Sequence, residues 1–303
     1  MKRLLPHQSD KRFLVFAGTG TDLIFNRGIE LPDFSTIPLV EDPQFHPVLK
    51  EQMQDLIDLA RAQHLGCIID TSTWTANRDR AAPLGKSPDD LVRINRTAVS
   101  MMRDLRDRGG ADVLLALCLG PARDPYTTEP PLSVEDARQY HSIQIKSIHD
   151  IGVDLVHAYT FNHPTEAAGA ALAAQDCALP VVISLVVETD GCLNNGQPVD
   201  DAIAEIDALS TKAAAYFMVN CAHPDHFSNT LSSNPRLQGV VVNASRCSHA
   251  ELDEATELDD GDPVELGTEL ARLVQTYPML RVLGGCCGTD MRHMRQIAER
   301  VKT

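Results

Sequence analysis

Three of the eight cysteines in this 303-residue chain carry a pattern that could do chemistry. Cys286 and Cys287 are vicinal, and Cys221 precedes Cys286 by 65 residues. Adjacent Cα atoms sit about 3.8 Å apart, whereas an unstrained disulfide spans roughly 4.4–6.8 Å. The vicinal pair therefore suits a metal or an electrophile better than a bridge to itself. Three thiolates at one site repel one another unless a cation lies between them. Zinc fits, taking thiolates at about 2.3 Å and, in catalytic sites, keeping a fourth position open. An incoming thiol can fill that position and lose its proton there, although a free thiol has a pKa of about 8.5. The metal also orients the sulfur for attack on an electrophilic carbon. Water in the open position would give hydrolysis instead, but three thiolates donate charge and weaken the metal as a Lewis acid. Thiol alkylation is the preferred chemistry. Cys67, Cys118, Cys177 and Cys192 read as small, buried apolar residues, and Cys247 has polar flanks and no assignment.

Those cysteines converge only if the fold brings their segments together. Eight apolar, β-branched runs occur at 13–17, 67–71, 113–119, 154–159, 180–187, 216–220, 239–243 and 280–284. Such short, nearly continuous apolar runs suit buried parallel strands. Helical spacing fills the gaps at 47–64, 88–108, 134–151, 165–177, 199–213, 224–235, 263–277 and 291–301. Pro88 with Asp89 and Asp90 suits a first helical turn, and Ser133 with Asp136 resembles a capping box. Eight strand–helix units across residues 1–303 make a single α/β domain, a (β/α)8 TIM barrel, the expected fold. An open doubly wound sheet is the alternative, but no linker or composition break divides the runs. Irregular insertions are expected at 21–46 and 249–262.

A barrel of this kind places its active site at the C-terminal ends of its strands. Cys221 follows the sixth run, and Cys286 and Cys287 follow the eighth. Alternate strands point side chains into the same layer, so the three sulfurs can meet. Other strand-end residues join them as candidates for the substrate pocket: Phe16, Ala17, Gly18, Thr73, Trp74, Tyr159, Asn220 and Asn243. Trp74, the only tryptophan, either stacks on a cationic sulfonium or ammonium donor or packs against the protein. His223 and His226 are weaker candidate ligands, because Pro224 starts a helix that carries His226 away. His157 and His163 flank the fourth strand end, where a structural hydrogen-bonding role is favoured. Asp70 could orient polar groups at the mouth. The glycine-rich turn at 17–21 could cradle phosphate, but barrel closure explains it equally well.

Composition narrows the partners. With 27 basic and 42 acidic residues the formal charge is −15, which disfavours an electrostatic grip on nucleic acid or anionic membrane. No stretch approaches the roughly 20 apolar residues that span a bilayer, and the first residues lack the apolar core of a secretory signal. A cytoplasmic protein with reduced thiols is the expectation. Its partners would be small molecules, a thiol acceptor and an electrophilic alkyl donor, with self-association into a homo-oligomer left open.

The segments GGCCGTDMRHMRQIA at 284–298 and VNCAHP at 219–224, with the glycine-rich turn after the first strand, resemble the homocysteine S-methyltransferase family. IIDTSTWTAN is similar to the family's second-strand threonine-rich motif, and VETDGCLNNGQPVDDAI to its fifth-strand region. The resemblance spans nearly the whole chain. It implies a zinc-dependent barrel enzyme of methionine metabolism, with Zn2+ held by Cys221, Cys286 and Cys287. It also marks departures. The family opens with Asp-Gly-Gly-x-Gly-Thr where this chain has Phe16-Ala17-Gly18-Thr19-Gly20-Thr21. Tyr159 stands where the family carries a glutamate for the substrate's ammonium. The family's seventh-strand Pro-Asn-x-Gly is only Val242-Asn243-Ala244-Ser245.

Losing a buried charge partner typically costs about 2–5 kcal/mol of binding. The expectation is therefore an S-methyltransferase moving a methyl group from a small onium-type donor to a zinc-activated thiol, homocysteine or an altered acceptor without an α-ammonium. Tyr159 is then a fourth resting ligand or an apolar wall. A zinc hydrolase with metal-bound water and an inactive zinc- or thiol-binding barrel are the competing readings.

Overall fold

The computed structural model describes residues 3–126 and 130–302. Among the described residues, eight parallel strands close into a barrel in chain order, with β8 pairing back onto β1. They are β1 (Phe13–Phe16), β2 (Gly66–Asp70), β3 (Val113–Leu119), β4 (Leu155–Phe161), β5 (Val181–Val186), β6 (Tyr216–Asn220), β7 (Leu237–Val242) and β8 (Val282–Gly285). The expected (β/α)8 barrel is the fold observed. Its order leaves no free sheet edge, so every strand can be buried on both faces.

A helix returns the chain after each strand: α1 (His46–Ala62), α2 (Pro88–Gly109), α3 (Val134–Lys146), α4 (Pro164–Asp176), α5 (Val199–Ser210), α6 (Pro224–Phe227), α7 (Pro263–Thr276) and α8 (Met291–Arg300). Ser87 caps α2 by accepting from the Asp90 amide at 3.2 Å, and Asp90 accepts from the Ser87 amide at 3.1 Å. That reciprocal pair satisfies two amides the helix leaves free. Ser133 caps α3 in the same manner, accepting from the Asp136 amide at 3.2 Å. Helix α4 is alanine-rich because it packs tightly on α3. A Cβ added at Gly169 would come within 2.5 Å of the Ala137 Cβ and the Val134 carbonyl oxygen.

Strand alternation sorts the core into two layers. Val15, Ile68, Leu114, Ala116, Leu155, Val182, Tyr216, Met218, Val241 and Val282 fill the interior. Leu14, Ile69, Leu115, Leu117, Val156, Ile183, Val219, Val240 and Leu283 pack outward under the helices. A 3-10 turn, Pro6–Gln8, lies at the N-terminal end of the barrel, where Leu5 joins the interior cluster.

Two elements differ from the sequence expectation. The sixth helix covers only Pro224–Phe227 instead of 224–235. The segment after it is rich in Ser, Asn and Thr, whose side chains compete for backbone hydrogen bonds and favour turns. Strand β4 runs on to Phe161 through a register shift between Ala158 and Phe161. The two insertions hold short helical pieces, including Ile37–Glu41 and His249–Asp253.

Candidate metal centre

The backbone at the strand ends places the three cysteines together. The β6–β7 ladder extends one step past β6, with the Cys221 amide donating to the Val241 carbonyl at 3.1 Å. Beyond β8 the Cys286 amide donates to the Val242 carbonyl at 2.7 Å. Cys221 itself has φ +58°, a left-handed conformation that costs a non-glycine residue roughly 1–2 kcal/mol. Gly288, at φ +77°, turns the chain away after Cys287.

The β1 turn supports this loop. The Thr289 hydroxyl donates to the Cys286 carbonyl at 2.6 Å, and the Gly288 amide donates to the Thr21 hydroxyl at 3.1 Å. That Thr21 hydroxyl in turn donates to the Gly18 carbonyl at 3.1 Å. A Cβ at Gly18 would meet the Cys286 and Thr289 carbonyl oxygens at 2.7 Å each. Gly18 is thus a close-approach position beneath the cysteine loop.

The sulfurs converge. Cys221 Sγ lies 2.9 Å from Cys286 Sγ and 3.6 Å from Cys287 Sγ, and all three fall within 4.8 Å of one another. Sulfurs sharing one tetrahedral zinc at about 2.3 Å sit about 3.8 Å apart, and the Cys221–Cys287 separation of 3.6 Å is close to that. The donor set fits zinc. Cys221 and Cys286 are 5% and 4% exposed.

Electrostatics make the same demand for a cation. Hydrogen bonds from Cys286 and Cys287 hold the Cys221 thiol well below the usual range, against its burial. Its hydrogen-bonded proximity to Cys221, together with burial, pushes Cys286 well above that range, and Cys287 is raised for the same causes. One sulfur ionises readily, and the next two resist placing more charge beside it. A divalent cation removes that resistance.

Tyr126 also faces the sulfurs, and nothing in its sequence context marks it. Burial of its hydroxyl end, then the cysteine charges and a hydrogen bond to Cys221, push its phenol well above the usual range. The residue as a whole is 43% exposed. Its ring packs on His249 at 4.3 Å between centroids. His249 Nε2 contacts the Val187 carbonyl at 3.1 Å.

The expected pocket residues divide. Tyr159 donates its hydroxyl to Asp70 Oδ2 at 3.0 Å, and His157 Nδ1 pairs with Asp70 Oδ1 at 3.0 Å. Burial and the Asp70 charge hold the Tyr159 phenol well above its ordinary range. Tyr159 is therefore partnered by a carboxylate, and Tyr126 is the phenol hydrogen-bonded to a cysteine. Trp74 donates from Nε1 to the Thr160 hydroxyl at 3.0 Å, with the Arg80 guanidinium 4.9 Å from its ring centroid. Thr73 is fully buried, pairing with the Thr71 hydroxyl at 2.7 Å and donating to the Cys118 carbonyl at 2.7 Å.

Asn220 Oδ1 accepts from the Thr160 amide at 3.0 Å and the Ser184 hydroxyl at 2.7 Å. Asn243 is buried, with Oδ1 unpartnered. Ala17 packs against the interior cluster. Phe16 does not join them, since its side chain belongs to the outer layer beneath the helices.

The remaining histidines have structural partners. His163 Nδ1 accepts from the Thr165 amide at the start of α4. His226 Nε2 contacts the Arg246 carbonyl at 2.9 Å. His223, Asp225 and Glu269 form a second group with ligand-like spacing. Arg246 already supplies a cation there, reaching Asp225 at 2.6 Å and Glu269 at 3.0 Å.

Comparison with known proteins accords with this geometry. The homocysteine S-methyltransferase family model matches residues 18–301. Betaine–homocysteine S-methyltransferase 1 of Rattus norvegicus is 24% identical over 258 residues, covering 77% of this chain and 60% of its own length. The Bos taurus protein of that name is 22% identical over 260 residues, with the same coverage. The chain thus spans about 60% of the length of these relatives. The homocysteine methyltransferase MmuM of Escherichia coli, in its metallated form, superposes with a TM-score of 0.73 at 19% identity. That match covers 96% of this chain and 97% of the other. Its oxidized form gives 0.74 at 21% identity, covering 99% and 98%. With a family match over nearly its whole length, this chain belongs to the homocysteine S-methyltransferase family.

Proposed function

We propose that this chain is a zinc-dependent S-methyltransferase that moves a methyl group from a small onium-type donor to a thiol. The observation that carries the reading is the convergence of Cys221, Cys286 and Cys287 at adjoining strand ends. These residues would hold the metal, which supplies the field that keeps a fourth, incoming sulfur as thiolate near neutral pH. The thiol gives up its proton to solvent, a sulfur–carbon bond forms, and the donor's carbon–heteroatom bond breaks with its electron pair returning to the heteroatom. The chain's part is to orient and to exclude water. Tyr126, whose phenol is raised by the nearby cysteine charges, would border the acceptor.

The acceptor is a thiol other than homocysteine, one lacking an α-ammonium. Asp70 already accepts from Tyr159 and pairs with His157, so an ammonium in the fourth-strand region would have to share that carboxylate with two partners. Phe16, which stands at a family aspartate, is turned outward. The buried Asn243 Oδ1 is a candidate acceptor for a substrate N–H or O–H. Trp74, Ala17 and Gly18 border the same mouth. Unpaired cysteines throughout the chain suit a reducing, cytoplasmic setting.

Incubating zinc-loaded protein with sulfonium and quaternary ammonium methyl donors and a panel of thiols tests the acceptor. Methyl thioether should form best with a thiol lacking the α-ammonium. A strong preference for homocysteine would contradict that assignment, and hydrolysis without transfer would replace the methyltransferase reading.

A further inference from the structure

Two hydrogen bonds cross the barrel mouth from the sole tryptophan to the residue before a cysteine of the metal centre. Trp74 Nε1 donates to Thr160 Oγ1 at 3.0 Å. The Thr160 amide donates to Asn220 Oδ1 at 3.0 Å, and Asn220 immediately precedes Cys221. The two backbones it joins are both left-handed, at φ +61° for Thr160 and +58° for Cys221. A β-branched residue in that region is an outlier that its surroundings must hold in place. A register irregularity between Ala158 and Phe161 on β4 marks the strand segment that carries Thr160. Ser184 donates its hydroxyl to the same Asn220 oxygen at 2.7 Å, fixing the amide from the strand between them.

We infer that Asn220 is a positioning residue that sets the Cys221 backbone through Thr160 and couples metal occupancy to Trp74. This rests on the metal-centre reading above. The physical reason is mechanical. Ligation would fix the Cys221 sulfur, and Cys221 is joined through the chain to Asn220, which accepts from the Thr160 amide on β4. Movement of Cys221 is therefore felt at Thr160, and from there at the indole. Asn220 acts through Cys221 and does not itself ligate. Because Trp74 is the only tryptophan, its emission reports this end of the chain of bonds without interference.

The experiment titrates metal-free protein with zinc while following Trp74 emission, and measures zinc affinity independently by competition with a chromophoric chelator. Wild type should bind one zinc per chain with a saturating emission change of the same midpoint. Asn220→Ala should weaken zinc by about 10- to 100-fold, as loss of a group orienting a ligand does, and should abolish the emission change at saturation. Thr160→Gly keeps the amide and accepts positive φ, but deletes the hydroxyl that meets Trp74. It should retain zinc affinity while losing the emission response, and it covers the case in which Asn220→Ala does not fold. Wild-type zinc binding with a silent Trp74 would overturn the coupling. So would wild-type affinity in Asn220→Ala, or a preserved response in Thr160→Gly. Absence of zinc binding by wild type would overturn the metal-centre reading and this inference with it.

Discussion

Asp70 lies between two donors, and that arrangement changes what its neighbours can do. The carboxylate takes His157 on one oxygen and the Tyr159 hydroxyl on the other. Tyr159 is therefore a tethered group and not a free wall of the pocket. The phenol facing the sulfurs comes from Tyr126, on the connection between β3 and α3. Sequence spacing could place cysteines, because strand ends have a fixed address in a barrel. It could not place Tyr126, since a loop side chain's direction depends on the loop's path. Replacing Tyr126 by Phe removes one hydrogen bond, worth about 0.5–1.5 kcal/mol, from the state an incoming thiol must displace. The expected result is an unchanged zinc content and a KM for the thiol about two- to tenfold lower. Steady-state kinetics with zinc analysis checks it, and a rise in KM would show that the hydroxyl serves the substrate instead.

At the scale of elements, the β1 turn and the β8 loop behave as one unit. Their link runs through Thr21, Gly18 and the Cys286 carbonyl. The glycine-rich turn looked from its sequence equally like a phosphate cradle or a closure device. Contact with Thr289 and Cys286 makes it a buttress for two of the candidate metal ligands. Gly18→Ala would push a methyl group against two carbonyl oxygens, an overpacking of about 1–3 kcal/mol. The expected outcome is a zinc affinity loss that exceeds the loss of global stability, read by chelator competition alongside chemical denaturation. Equal zinc affinity in the variant would separate the turn from the metal centre.

Most strand positions were legible in the chain because continuous apolar runs have few alternatives in a buried parallel sheet. Helix α2 was legible because Pro88, Asp89 and Asp90 mark its start. The short α6 was not, since the Pro224 signal sets a beginning and the following Ser, Asn and Thr residues set an early end.

At the scale of the whole molecule, closure of the barrel is what turns scattered residues into a site. Cys221 and Cys286 are 65 residues apart in the chain, yet their sulfurs lie 2.9 Å apart. The even-strand rule anticipated that meeting, while the outward turn of Phe16 followed from strand alternation that the motif comparison did not weigh. The formal charge of −15 speaks to solubility, and no helix among the described residues is long and apolar enough to cross a membrane.

The central claim is that a thiol-bound metal at Cys221, Cys286 and Cys287 carries methyl transfer. The most direct measurement follows transfer of a labelled methyl group from an onium donor to a thiol, using zinc-loaded, chelator-stripped and Cys286→Ser protein. Transfer should occur with the loaded protein, vanish on stripping, return when zinc is restored, and be absent from Cys286→Ser. Transfer that persists in the stripped protein or in Cys286→Ser would contradict it.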